Sequence, residues 1–211
     1  MYDRRTFLGA LALAPLLTAG LRSASHAAAN QVDGADLARV EGYLNGIQSL
    51  EAKFTQFAPD GSLSSGRLYL RRPGRIRFEY DPPVPILVVA DGVWVVYHDK
   101  ELNQTTRVPL GSTPLSILVR DTIKFGGEVA VKRIERSPGA LRVSLYDPAK
   151  PKDGQLMLVF SDQPLTLHKW TLTDAQGQDT TVSLDQVQTN VDLKNTLFVF
   201  HDPSPRMREI Q

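Results

Sequence analysis

From Leu50 onward the chain alternates apolar and polar residues with a period of two: Leu50, Ala52 and Phe54 interleave with Glu51, Lys53 and Thr55. Such a period belongs to a strand with one buried face. It recurs in "RLYLRR", "RIRFEY", "ILVVADGVWVVYHD", "EVAVKRIER", "ALRVSLYD", "QLMLVFSD", "LTLHKWTLTD", "TTVSLDQVQTN" and "LFVFHDP". Turn signals separate the runs: Asp91-Gly92, Ser137-Pro138-Gly139, Asp153-Gly154 and Ala175-Gln176-Gly177. The Asp91-Gly92 pair predicts a tight hairpin with positive φ at both residues. Connections this short exclude parallel pairing, which needs a crossover, so about ten or eleven strands form one antiparallel meander.

Two helices interrupt the strands. "DGADLARVEGYLNGIQSL" sets Leu37, Val40, Leu44 and Ile47 at helical spacing, with Asp33 or Asp36 to cap the start. "GSTPLSILVRD" offers Ser112 or Thr113 as a cap, Pro114 in the first turn, and an apolar side of Leu115, Ile117 and Leu118. The expected fold is α+β, with a strongly curved antiparallel sheet covered on its concave side by these helices.

Residues 1–29 read as a cleaved export signal: a charged start, an apolar run from Phe7 to Ala19, and small residues near Ala27 and Ala29. The run is short of the ~20 residues of a membrane span. "DRRTFLG" is similar to a twin-arginine signal, and two ordinary arginines of a general secretory signal fit equally. Residues 30–211 are expected to form a single domain of a soluble protein in the periplasm of a Gram-negative bacterium. The absence of cysteine excludes disulfides, thiolate chemistry and lipidation of the chain's own N-terminus.

Lys and Arg number 24 against 23 for Asp and Glu, which argues against a nucleic-acid partner. Neither a phosphate-cradling loop nor a dinucleotide, serine-hydrolase or zincin motif is present in the sequence. His98, His168 and His201 stand singly, without partners for a metal set. The expectation is a protein with no enzymatic activity, no cofactor and no metal.

Arg72 follows Leu68 and Leu70 in phase and so leans toward the apolar face, where an unpaired charge is costly. Two readings are open from the residues alone. Either Pro73 ends the strand and the side chain turns to solvent beside Arg71, or the guanidinium meets free carbonyls at the end of a helix. Phe54, Phe78, Trp94, Phe160 and Trp170 are equally open between plain core and the lining of a cavity. The remaining arginines of "RRPGRIRF" have no role that sequence assigns.

"KFTQ" (53–56), "SGRLYLRRPGRIRFEY" (65–80), "ADGVWVVYHDKELNQTT" (90–106), "STPLSIL" (112–118) and "FVFHDP" (198–203) occur in this order. Together they resemble the periplasmic outer-membrane lipoprotein carrier (LolA) family, from about Asp36 to Pro203. The resemblance implies an incomplete β-barrel with a helical lid, and acyl chains held between the two. It implies a chaperone of lipoprotein transport that takes acylated lipoproteins from an inner-membrane ABC-type releasing complex toward a possible outer-membrane acceptor, acting as a monomer. It also implies that Arg72, the arginine before the proline, latches the lid through the segments of Leu44, Leu118 and Val119. The acyl-chain cavity is then expected at Phe54, Leu70, Ile76, Phe78, Trp94, Leu115 and Leu118. The alternative is an envelope-stress sensor built on the same lipoprotein-binding fold, which usually carries an additional domain.

Overall fold

A computed structural model describes residues 34–203. The export signal read at 1–29, and Asp33 as a helix cap, lie outside them. The chain opens with helix α1 (Gly34–Asn45), followed by β1 (Ser49–Phe57), β2 (Leu63–Arg71), β3 (Arg75–Tyr80), β4 (Ile86–Asp91), β5 (Trp94–Asp99) and β6 (Gln104–Pro109). A 3-10 turn (Leu110–Ser112) and a one-turn helix α2 (Leu115–Leu118) lead to β7 (Ala130–Ser137), β8 (Ala140–Tyr146), β9 (Gln155–Asp162), β10 (Leu165–Thr173) and β11 (Asp179–Thr189). A second 3-10 turn (Asn195–Phe198) occupies part of the stretch read as a last strand, "LFVFHDP".

The eleven strands among the described residues form one sheet, ordered β6-β5-β4-β3-β2-β1-β11-β10-β9-β8-β7. It is built from two meanders, β1–β6 and β7–β11, rather than one, joined where β1 pairs with β11. The edges β6 and β7 stay unpaired with each other, and the connection between them, residues 110–129, has to travel from one edge to the other. That journey is what carries α2 across the open side.

Register sorts the side chains by face, because residues opposite one another across a ladder point the same way. Leu50 pairs with Leu70, Leu70 with Ile76, Ile76 with Ala90, and Ala90 with Val95. In the other meander Trp170 faces Val182 and Leu158, and Leu158 faces Val143. Nearly all of these are buried, in one apolar cluster with Val40 and Leu44 of α1 and Leu115, Ile117 and Leu118 of α2. The sheet is curled around this cluster. Residues 111–120 are bonded both to the β2–β3 turn and to the β8–β9 loop, which lie at opposite ends of the strands and in a flat sheet would stand roughly 35 Å apart.

Three of the cap residues that the sequence offers, Asp36, Ser112 and Thr113, are not used as caps. Asp36 lies inside the first turn of α1 and is used in ion pairs. Ser112 and Thr113 donate backward to the carbonyls of Pro109 and Leu110, so α2 has no side-chain cap. The hairpin after β4 forms, but Gly92 alone adopts a positive φ, of 110°. Asp91 instead accepts the amides of Val93 and Trp94 through Oδ1, both at 2.9 Å.

The convex face has a smaller apolar layer of its own. Val89, Val96 and His98 are buried there with Leu193 and Phe198 of the C-terminal segment, and the rings of His98 and Phe200 lie 5.2 Å apart. The basic run explains how this strap is held. Arg71 donates to the Leu193 carbonyl and to Asn195 Oδ1, both at 2.8 Å; Arg75 donates to Asn195 Oδ1 at 3.1 Å, and Arg77 to the Leu197 carbonyl at 3.0 Å. Arg71→Ala removes two of these bonds and is expected to cost about 1–2 kcal/mol in urea unfolding. An unchanged midpoint would mean that the strap is held by its apolar residues alone.

Candidate functional site

The site follows from two local facts about the β2–β3 turn. Strand phase carries Arg72 to the concave side directly after Leu70, and Pro73-Gly74 then reverses the chain. Gly74 sits at φ 75°, and a Cβ there would lie 2.6 Å from the Gly92 Cα, so the two turns pack backbone to backbone. Between them they fix a short, rigid corner at one rim of the curled sheet.

Arg72 is 6% exposed. Its Nη2 donates to the Leu118 carbonyl at 3.1 Å, and the Gly74 amide donates to the Val119 carbonyl at 2.7 Å. These are the carbonyls that the last turn of a helix leaves unpaired, and α2 presents them to the corner. Nε and Nη1 of Arg72 are buried without a hydrogen-bond partner among the described residues. Burial pulls the guanidinium down to about 10, with Asp121 acting in the opposite direction, so it remains charged at neutral pH. The corner therefore holds a charge with one of its three nitrogens bonded, against a segment of four buried apolar side chains, Leu115, Ile117, Leu118 and Val119.

The residues expected at the site are not all together. Phe54, Leu70, Ile76 and Phe78 lie side by side on the concave face, Phe54 edge-on to Phe78 at 5.3 Å and to Tyr80 at 5.1 Å. Leu115 and Leu118 come down on the same cluster from the lid. Trp94 does not join them: Ala90 pairs with Val95, which puts Trp94 in phase with Val96 and His98 on the convex face, 43% exposed. Leu44 is buried in the cluster, but its carbonyl accepts the Ile47 amide and makes no bond to Arg72. Val119 is bonded through Gly74 rather than through the arginine.

The expected hollow is occupied. Val40, Leu44 and Ile47 from one side, and Leu115, Ile117, Leu118 and Ile123 from the other, pack into the concave face and fill it with the protein's own side chains. Beneath the lid, room for a ligand is made where these side chains leave. One stretch of the concave face is less covered: Tyr80 and Val88 are half-buried, and Tyr97 and Val108 are 45% and 39% exposed. Burial raises the Tyr80 hydroxyl to about 12, and it donates to Gln56 Oε1 at 2.8 Å.

Sequence reading missed the groups that tie the lid together. Asn45 Nδ2 donates to the Ile123 carbonyl and Asn45 Oδ1 accepts the Ile123 amide, both at 2.8 Å, while Glu41 accepts the Phe125 amide at 2.7 Å. Gly74 could have been suspected as the turn glycine after Arg-Pro; Asn45 and Glu41 look like ordinary polar positions on a helix. No group of three or more His, Asp or Glu side chains poised for a metal occurs among the described residues.

A family model described as outer membrane lipoprotein carrier protein LolA matches residues 45–201. An outer-membrane lipoprotein carrier protein of Chromobacterium violaceum is 30% identical over 206 residues, covering 90% of this chain and 94% of its own length. The protein of the same name from Leptothrix cholodnii is 32% identical over 189 residues, covering 85% and 86%. That from Legionella pneumophila strain Lens is 33% identical over 172 residues, covering 76% and 82%.

Proposed function

Because the chain belongs to the outer-membrane lipoprotein carrier (LolA) family, we propose that it carries lipoproteins by their acyl chains, which replace lid side chains on the concave face. The observation that carries this reading is the lid itself: an apolar cover, packed on an apolar sheet, whose edge is held by Arg72 and Gly74.

Each CH₂ moved from membrane to water costs about 0.8 kcal/mol, so a chain of about fifteen carbons costs on the order of 10 kcal/mol. A carrier makes the exchange nearly neutral by offering protein hydrocarbon in place of lipid. Opening the empty protein exposes Leu115, Ile117, Leu118 and Val119, at roughly 1.5–3 kcal/mol each, so the lid stays shut until chains arrive to cover what it uncovers. Phe54, Leu70, Ile76 and Phe78 form the wall that receives the chains, and Leu115 and Leu118 are the roof. Arg72 is the latch.

In this reading cargo is handed over by an inner-membrane ABC-type releasing complex, crosses the periplasm on a monomeric carrier, and leaves toward an outer-membrane acceptor. Residues 30–211 act as one carrier unit behind an export signal. The stress-sensor alternative is not favoured, since the three relatives from Chromobacterium, Leptothrix and Legionella, which match over most of their length, are carriers by name.

Displacement of a bound hydrophobic dye tests the reading. A triacylated lipopeptide is expected to displace the dye at least ~100-fold more effectively than the same peptide without its acyl chains. Equal displacement by both, or by neither, would count against acyl-chain binding.

A further inference from the structure

We propose that the lid is divided into a fixed half, α1 with residues 123–125, and a hinged flap, residues 112–119, which turns on the β8–β9 loop and is caught on the β2–β3 turn, so that the concave face opens over β3–β6. This deepens the carrier reading and rests on it for what enters through the opening.

The fixed half is bonded to the sheet along its whole length. At its start the buried Asp36 pairs with Arg39 at 3.1 Å and with Arg136 of the edge strand β7, while Asp162 at the end of β9 pairs with the same two arginines at 3.0 and 2.9 Å. Arg39 also donates to the Asp162 carbonyl at 3.0 Å. In the middle, Tyr43 accepts the Leu167 amide at 3.0 Å and stands edge-on to Phe160. At the end, the Gly46 carbonyl accepts from Asn190 at 3.0 Å. Lifting α1 would strand Asp36, a carboxylate buried among its partners, and this is a costly step. The paired bonds of Asn45 to Ile123, and that of Glu41 to Phe125, join residues 123–125 to this half.

The flap is attached differently on its two sides. Lys150 donates to the Gly111 carbonyl at 2.6 Å and Arg120 donates to Asp147 at 3.1 Å, so both ends of the flap are pinned to the β8–β9 loop. The body of the flap lies against that loop too, for a Cβ on Gly154 would stand 3.0 Å from Pro114 Cγ. On the far side the body of the flap is held by the Arg72 and Gly74 pair of bonds, while its root bonds to the end of β6, Ser112 and Thr113 donating to the Pro109 and Leu110 carbonyls and the Leu110 amide to the Val93 carbonyl at 2.8 Å. The catch is weaker than a fully satisfied charge would make it: water reaching the corner satisfies Nε and Nη1 of Arg72, which offsets part of the bond given up and leaves the rest to hold the flap shut. A flap hinged on one rim and caught on the other uncovers the rim with the catch. That is where the concave face already shows Val88, Tyr97 and Val108.

Residue-resolved amide hydrogen exchange on the ligand-free full chain tests the division, with Gly74, Ser116 and Ile117 reporting the flap and Val40, Leu44, Ile123 and Phe125 the fixed half. Arg72→Leu is expected to speed exchange of the flap set by about tenfold or more and to leave the other set within about threefold. Arg136→Gln is expected to do the reverse, and it tests the division independently should Arg72→Leu fold poorly. If either substitution speeds both sets alike, or neither set responds to either substitution, the lid moves as one piece and the proposal is overturned. Neither result depends on cargo, so a failure of the carrier reading would be seen in the dye displacement and not here.

Discussion

Arg72→Leu should give a folded protein that loads acylated cargo about tenfold more tightly and passes it on correspondingly more slowly. The bonds to Leu118 and Val119 belong to the closed, empty state, and closure competes with loading. A charge-assisted hydrogen bond contributes about 1.5–3 kcal/mol, and the two unpartnered donors reduce its net worth toward the lower figure, which is close to tenfold in affinity. Folding is expected to survive because leucine removes a buried, partly satisfied charge and restores apolar contact, an exchange that is often neutral. Thermal unfolding checks the first point; dye displacement by the triacylated lipopeptide, and the rate of transfer to an acceptor membrane, check the second. Unchanged loading and transfer would remove the latch from the account.

Phe54→Ala should cost the empty protein about 3–5 kcal/mol, a large share of the roughly 5–15 kcal/mol that holds a domain of this kind together. Phe54 is 2% exposed and stands edge-on to both Phe78 and Tyr80, so its removal leaves a hole that three strands cannot close together. If the same ring forms the wall of the loaded cavity, hydrocarbon can fill part of that hole. The cost measured by urea unfolding at saturating triacylated lipopeptide is then expected to fall to about half or less. An equal cost with and without the lipopeptide would place Phe54 in structural core away from the cargo.

Most of the sheet was legible because one of its faces is buried. Alternation with a period of two is enforced wherever a one-residue slip would turn the apolar set to solvent, and it marked ten of the eleven strands among the described residues; the edge strand β6, exposed along nearly its whole length, was not read from it. The pairing of β1 with β11 was not legible, since it joins the start of the sheet to its end and no local pattern records a long-range ladder. "LFVFHDP" has the composition of a strand, yet Phe198 is spent on the convex face as part of the strap, where the Leu197 carbonyl is taken by Arg77 instead of by a neighbouring strand. The same strap accounts for the basic run that had no role in sequence. Trp94 was misplaced by one step of phase: with the turn centred past Asp91, Val95 inherits the concave side.

The corner at Arg72 was half legible. Phase with Leu68 and Leu70 brought the guanidinium inward, and Pro114 with the short apolar run after it located the segment that it meets. What could not be read was which carbonyls would arrive, because that depends on how residues 110–129 cross from β6 to β7. The hinge at Lys150 and Asp147, and the ties of Asn45 and Glu41, are contacts between residues 27 to 84 positions apart, and they appear only once the sheet has curled.

If hydrocarbon chains take the place of the lid on the concave face, the carrier and its cargo travel as one complex. Native mass spectrometry of the protein recovered from a Gram-negative periplasm, under conditions in which lipoproteins are being released from the inner membrane, measures this directly. The account predicts a one-to-one complex with triacylated lipoprotein that is lost when the acyl chains are removed. A bare chain under those conditions, or a complex that persists with deacylated cargo, would contradict it.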